Sequence, residues 1–152
     1  MSSFGRNVGI TTLFATAATL VGIALVARRE KVGPFRAVNS ISHILHGDEV
    51  EPSEGFAAVE TLPAVAMNTA AMAGWAMIAE ALMTPKSDNS TNVARAAATG
   101  AVVSGLAYLV DYHIVPKRWT PGIERYFSKA AIGAVYGFLA TGIAAGALIR
   151  RR

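Results

Sequence analysis

Long apolar segments alternate with short polar ones along the chain. Four of them reach the length of a membrane span, at about residues 8–27, 62–82, 94–115 and 130–149. The first and the last run for twenty residues without a charged side chain. A helix of that length, rising about 1.5 Å per residue, crosses a hydrocarbon core about 30 Å thick. The pattern predicts an all-α polytopic membrane protein with four transmembrane helices in one membrane domain, residues 1–152.

The first span has an alternative interpretation as a cleavable signal peptide. Its apolar region is too long for one, and Leu25-Val26-Ala27 is a poor small-x-small cleavage site. We therefore expect it to remain as a membrane helix.

A shorter amphipathic segment follows the first span, at about residues 34–46. Pro34 suits the first turn of a helix, and Gly47 suits the position just after its end. Apolar residues recur there at helical spacing on one face, namely Phe35, Val38, Ile41 and Leu45. Polar residues recur on another face, namely Asn39, His43 and His46. We expect an interfacial helix here, and a second short surface helix within residues 117–126, where Trp and Tyr mix with basic residues.

Composition supports a membrane location and excludes several kinds of site. Of the 152 residues, 53% are hydrophobic and 16% are charged, and none is cysteine. The chain therefore has no disulfides, thiolate metal ligands, iron–sulfur clusters or cysteine nucleophiles. The net charge of +4 is compatible with binding to nucleic acid or to anionic lipid. However, Arg and Lys lie at the span ends as anchors, so we expect the lipid bilayer as a partner and no nucleic acid.

Polar residues inside the spans need partners, because an unsatisfied polar group in hydrocarbon is costly. Asn68 and Glu80 lie within the second span. Residues 84–92 form a short polar link to the third span, so Glu80 and Arg95 lie near one membrane face and can pair. Residues 48–55 are acidic and rich in turn formers, which indicates a solvated loop. A divalent-cation loop is the alternative there, but the spacing does not fit an EF-hand.

The histidines converge on one membrane face. With four spans, the first and third connections share a face, and the ends of the second and third spans that adjoin them lie nearby. This places His43 and His46 close to Asp111 and His113, with Asn39, Asp48 and Asn68 on the same side.

Three interpretations of this set remain open. In the first, Asn39, His43, Asn68 and Asp111 form a structural polar cluster in which His43 bonds to Asp111 or to a helix end. In the second, His43, His46, Asp111 and His113 bind zinc, iron or copper, or two of the histidines bind haem. In the third, the set forms a proton or ion path.

Small residues mark faces where helices approach each other closely. One seam follows the first span, at Thr11, Ala15, Ala18 and Gly22. In the last span, Gly133 and Gly137 lie about half a turn from Gly142 and Gly146. This helix can therefore be approached on two faces, once by its own bundle and once by another chain. Packing of both faces within the bundle is the alternative.

Motifs for catalysis are missing from the sequence. It contains no Gly-x-Ser-x-Gly elbow and no nucleotide-binding glycine loop. Ser40 and Ser42 lie near His43, but residues on one short helix cannot build a three-part nucleophilic site. We expect neither an enzyme nor a resident cofactor.

Two motifs carry a resemblance to known proteins. The first is Asn39-x-x-Ser42-His43-x-Leu45-x-Gly47-Asp48. The second covers fourteen residues, Asp111-Tyr112-x-x-Val115-Pro116-x-Arg118-x-Thr120-Pro121-Gly122-x-Glu124. With them the chain resembles a group of small, uncharacterised four-span bacterial inner-membrane proteins. The resemblance implies a four-helix fold in the bacterial cytoplasmic membrane and carries no activity. Members of that group have histidines early in the second helix, where this chain has Ala66, Met67 and Asn68.

These observations favour an accessory or assembly subunit of a larger membrane complex, without catalysis of its own. Its expected partner is another membrane protein or a second copy of the chain. The rival is an ion or proton transporter, or a membrane protein that binds a metal or haem through histidine.

Overall fold

The structure, a computed structural model, describes residues 3–83 and 93–149. In these ranges every regular element is helical. The long helices are α1 (Ser3–Arg29), α4 (Ala58–Met83), α5 (Val93–Leu109) and α6 (Lys129–Ile149), and a π-helical turn over Val110–Ile114 extends α5. Four helices of the described residues are long and apolar enough to cross a membrane. The predicted all-α, multi-pass fold is confirmed.

The helices extend beyond the predicted spans. α1 begins five residues before the predicted start at residue 8, and α4 begins at Ala58 rather than near residue 62. Hydrophobicity marks the segment that crosses hydrocarbon, whereas backbone hydrogen bonds continue the helix into the polar interface. Pro63 is the sixth residue of α4, so its missing N–H leaves the Val59 carbonyl without its intrahelical hydrogen bond, and His46 Nε2 lies 2.9 Å from that carbonyl oxygen. The predicted link at residues 84–92 lies outside the described residues.

The segment predicted as one interfacial helix is divided. It consists of α2 (Pro34–Asn39), a 3₁₀ turn (Ser40–Ser42) and α3 (His43–His46). The hydroxyls of Ser40 and Ser42 each donate to a carbonyl three residues back, at 2.7 Å. Such bonds compete with regular helix geometry, so the serines account for the tightened turn.

The second predicted surface helix is replaced by two 3₁₀ turns, Lys117–Trp119 and Ile123–Arg125. Pro121 and Gly122 separate them, and Gly122 has a φ of 82°. This left-handed conformation favours glycine and interrupts any continuous helix. We call α2, α3 and these turns, with the loops that join them, the cap.

α1 packs against α4 and α6, and α5 packs against α6 and, less extensively, against α4. Close approach depends on small residues. A Cβ atom added to Gly142 would lie 2.8 Å from the Phe14 carbonyl oxygen, and one added to Gly146 would lie 2.7 Å from Thr11 Cα. The predicted seam on α1 thus contacts α6 through backbone atoms that a larger side chain would push apart.

Polar side chains inside the bundle find partners on neighbouring helices. Glu80 is 2% exposed and accepts a hydrogen bond of 2.8 Å from the Thr11 hydroxyl. The Asn68 amide donates to the Thr19 hydroxyl at 3.2 Å. Both bonds join α1 to α4, so they fix the relative rotation of two helices whose apolar surfaces alone would leave it open.

Candidate functional site

His43 holds the two connections of the cap together. Its side chain is almost fully buried, with Nδ1 2.7 Å from Asp48 Oδ1 and Nε2 2.8 Å from the Thr120 carbonyl oxygen. A carbonyl and an ionised carboxylate only accept hydrogen bonds, so the ring satisfies both only when both nitrogens carry a proton. The geometry therefore fits an imidazolium that links residues 77 positions apart.

Asp48 is the anionic partner in this link. The hydrogen bond from His43, reinforced by the positive charge of Arg125, lowers the pKa of the Asp48 carboxyl from its ordinary value. Arg125 Nη2 pairs with the Asp48 carboxylate, and Arg125 Nη1 donates to the Asp48 carbonyl at 3.0 Å. The start of the acidic loop is thereby tied to the connection before α6.

Asn39 anchors the end of the same loop. It is fully buried, and its amide nitrogen donates to the carbonyls of Ser53 and Gly55, each at 3.0 Å. Its amide oxygen accepts from the Thr61 hydroxyl at 2.7 Å. Glu60, one residue earlier on α4, accepts from both the N–H and the hydroxyl of Ser53. These contacts fold the loop onto the first turn of α4.

Three of the four acidic residues of the loop, Asp48, Glu51 and Glu54, are engaged in ion pairs. Arg36 Nε lies 3.0 Å from Glu54 Oε1, and its Nη2 lies 4.0 Å from Glu51 Oε2. The Tyr126 hydroxyl donates to Glu51 as well, at 3.2 Å. Burial, with the negative charge of Glu51 beside it, raises the pKa of Tyr126. The loop is polar, as predicted, but it is bound to the cap.

The four predicted metal ligands do not come together. His43 uses both ring nitrogens within the cap, and His46 Nε2 lies 2.9 Å from the Val59 carbonyl oxygen. His113 is exposed, and its ring centroid lies 5.7 Å from that of Tyr108. Within residues 3–83 and 93–149, no group of three or more His, Cys, Asp or Glu side chains is placed to hold a metal ion. His43 and His46 lie in the cap, whereas Asp111 and His113 lie in the π-helical turn after α5.

The predicted polar cluster is likewise divided. Asn39 and His43 belong to the cap, whereas Asn68 and Asp111 line a cavity of about 120 Å³ beneath it. Asp111 accepts a hydrogen bond of 2.5 Å from the Tyr136 hydroxyl of α6, so it is not the partner of His43. Both ring nitrogens of His43 are already used by Asp48 and Thr120. Asp111 lies in the π-helical turn, in which the Val115 N–H bonds to the Val110 carbonyl, five residues back.

The cavity has apolar walls and few polar groups. Its floor contains Thr19, Asn68, Asp111 and Tyr136, and its roof contains Ile41 and Ile44 of the cap. Trp119, whose side chain is 61% exposed, also contributes to the lining. Such a composition is typical of sites for small apolar molecules.

A groove on the outer surface of α5 and α6 is the second candidate site. Its walls include Gly105 of α5 and Gly133 and Gly137 of α6. A Cβ added to any of these glycines would meet nothing within 4 Å in the described part of the chain. The last span therefore has one glycine face packed on α1 and one glycine face open. We call the open region the glycine groove.

No protein-family model, curated protein or solved structure matches the chain. The resemblance drawn from the two motifs stays a prediction.

Sequence reasoning did not identify several residues that complete these sites. Thr120 and Arg125 bind cap residues from 77 positions away, and no local pattern shows such a contact. Tyr136 could have been recognised from the sequence as part of a polar contact, because a hydroxyl within an uncharged span needs a hydrogen-bond partner. Thr61 follows Glu60 in the first turn of α4, and it gave no distinct signal.

Proposed function

We propose that the chain is a non-catalytic accessory or assembly subunit, which binds a transmembrane helix of a larger membrane complex in the glycine groove. The observation that carries this proposal is the open pair Gly133 and Gly137, one helical turn apart on α6. The motif resemblance supports the bacterial cytoplasmic membrane as the location.

The open glycines carry a cost that packing among the described residues does not offset. A glycine inside a helix costs about 0.5–1 kcal/mol relative to alanine. Gly142 and Gly146 compensate by allowing α1 to approach, whereas no described residue uses the space beside Gly133 and Gly137. A partner that enters this space explains why both positions lack a side chain.

The walls of the groove carry the small residues that a close helix contact requires. In lipid, helices associate largely by close van der Waals packing at small-xxx-small positions, because the lipid tails are as apolar as the side chains. Gly133 and Gly137 form one such pair, and Ala101 and Gly105 form another on α5 beside it. Lys129 lies at the cap end of the groove, where it can reach an acidic group beyond the end of a partner helix.

The test compares complexes extracted gently from membranes at native expression. Gly133→Leu/Gly137→Leu fills the groove, and Gly74→Leu is the matched control, because Gly74 is an open position on α4 outside the groove. We expect the wild-type chain and the control to migrate in one defined complex larger than the chain. The double variant should migrate alone, with its helical content and extraction yield unchanged.

Photocrosslinking from position 101 identifies the occupant. A defined crosslinked membrane protein that disappears in the double variant supports the proposal. A crosslinked product of twice the chain's mass instead assigns the groove to a homo-oligomer and contradicts an accessory role. A groove-filled double variant that remains in the large complex also refutes it.

A further inference from the structure

We infer that the cavity beneath the cap binds a small lipophilic ammonium, with its charged nitrogen at Asp111 and its apolar body between α4, α6 and the cap. This site is separate from the glycine groove and does not depend on the accessory role.

Only one oxygen of the Asp111 carboxylate accepts a hydrogen bond from the described residues. Tyr136 donates to Oδ2 at 2.5 Å, and no side chain or backbone group in the described ranges donates to Oδ1. Asp111 borders the cavity, so a donor located there can complete it. An ionisable residue in a membrane span is costly unless a partner offsets its charge, and no described residue supplies a partner for Asp111 Oδ1.

The surroundings of Asp111 select a cation. No basic side chain among the described residues lines the cavity, and the Thr19 hydroxyl on its wall already donates within α1, to the Ala15 carbonyl oxygen at 2.9 Å. A carboxylate oxygen without a protein donor in an apolar setting favours a positively charged donor over an anion or a neutral acceptor.

The walls set the size and character of the rest of the molecule. A volume of about 120 Å³ is close to that of engineered cavities of about 150 Å³ that bind benzene. Ile23, Ile41, Met72 and Leu139 provide apolar contacts, and the exposed Trp119 adds an aromatic side chain to the lining. One six-membered ring with a short ammonium arm fits these limits.

Benzylammonium and benzyl alcohol form a matched pair of probes, because they share the ring and differ in the charged group. Binding is followed by the fluorescence of Trp119 in a Trp75→Phe background, since Trp75 does not line the cavity. The protein is studied in nanodiscs of phosphatidylglycerol, which carries no ammonium. We expect saturable binding of benzylammonium, with benzyl alcohol at least about tenfold weaker, as expected for loss of a charge-assisted hydrogen bond.

Two variants separate Asp111 from general attraction to acidic surfaces. Asp111→Asn keeps the acceptor for Tyr136 and removes the charge, so it should weaken benzylammonium about tenfold or more and leave benzyl alcohol unchanged. Glu49→Gln makes the same charge change on the exposed loop and should change neither affinity. Ala71→Phe, at a lining position on α4, should abolish binding of both probes if the cavity is the site.

The source of the ammonium is tested by repeating the titration in phosphatidylethanolamine nanodiscs. Loss of benzylammonium binding there identifies the lipid headgroup as the natural ammonium, and unchanged binding identifies a free amine. Equal affinity for the two probes, equal effects of Asp111→Asn and Glu49→Gln, or normal binding to a folded Ala71→Phe variant would each overturn the inference.

Discussion

Replacement of Asn39 by alanine tests how the cap is held closed. The side chain makes three hydrogen bonds from a fully buried position, two to loop carbonyls and one to Thr61. At about 0.5–1.5 kcal/mol each, their loss costs about 1.5–4.5 kcal/mol. Ser53 and Gly55 are accessible enough to regain water, which lowers the cost, whereas the Thr61 hydroxyl is buried and loses its acceptor. We therefore expect about 3 kcal/mol, an increase of about 100-fold in the opening of the loop.

Amide hydrogen exchange measures this opening directly. The Ser53 N–H is protected by Glu60 and the Ala57 N–H by the Thr61 hydroxyl, so both amides report on the loop that Asn39 holds. In Asn39→Ala they should exchange about 100-fold faster, while amides in the middle of α1 and α6 keep their rates. Asn68→Ala is the control, because it removes one bond of 3.2 Å to Thr19 within the bundle. An increase below about fivefold at Ser53 and Ala57 would refute the role given to Asn39.

Three further substitutions test other parts of the fold. Gly122→Ala places a Cβ 2.5 Å from the Ser40 carbonyl oxygen at a φ of 82°, so it should lower the stability of the fold by at least about 1–2 kcal/mol. Thermal unfolding in detergent measures this loss. Gly55→Ala, whose Cβ position is open, is the neutral control. Gly142→Val should separate α1 from α6 and sharply reduce the yield of folded protein, whereas Gly74→Val, at an open position, should not, as judged by size-exclusion chromatography. The lowered pKa of Asp48 means that the folded chain favours the ionised carboxylate. The contribution of Asp48 to the stability of the fold is therefore complete above its ordinary pKa of 3.8 and is lost as the pH falls through the lowered value. The thermal midpoint of the wild-type chain should therefore fall further at low pH than that of Asp48→Asn, which lacks the ionised partner. Equal declines in the wild-type chain and in Asp48→Asn would contradict the ion pair.

The spans could be predicted because one physical requirement determines them. An uncharged run of about twenty residues is needed to cross hydrocarbon, and α1 and α6 satisfy it continuously. The ends were less predictable, since helical hydrogen bonding carries α1 back to Ser3, beyond the apolar run. The interfacial segment was predicted from its periodicity, but periodicity does not show that Ser40 and Ser42 bond back to the helix and divide it.

The polar contacts were harder to predict because they depend on the path of the chain. The sequence placed His43 and Asp111 toward one face, which made them plausible partners. The structure pairs His43 with Asp48 and Thr120 instead. Asp111 bonds to Tyr136 from within a π-helical turn, whereas location on one membrane face, from which the pairing was predicted, does not determine which side chains meet. Spacing alone does not reveal such a turn.

Residues 39–44 of the cap face the acidic loop on one side and the cavity on the other. Asn39 and His43 face the hydrogen-bonded loop, whereas Ile41 and Ile44, from the same turns, form the roof of the cavity. The roof keeps its position only while the loop and Thr120 hold the opposite side of these turns. Opening of the cap therefore removes part of the cavity wall, and a molecule that binds the complete cavity must favour the closed cap by mass action. The hydrogen bonds that hold the acidic loop and the shape of the cavity beside Asp111 are thus energetically linked, although no side chain of the loop lines the cavity.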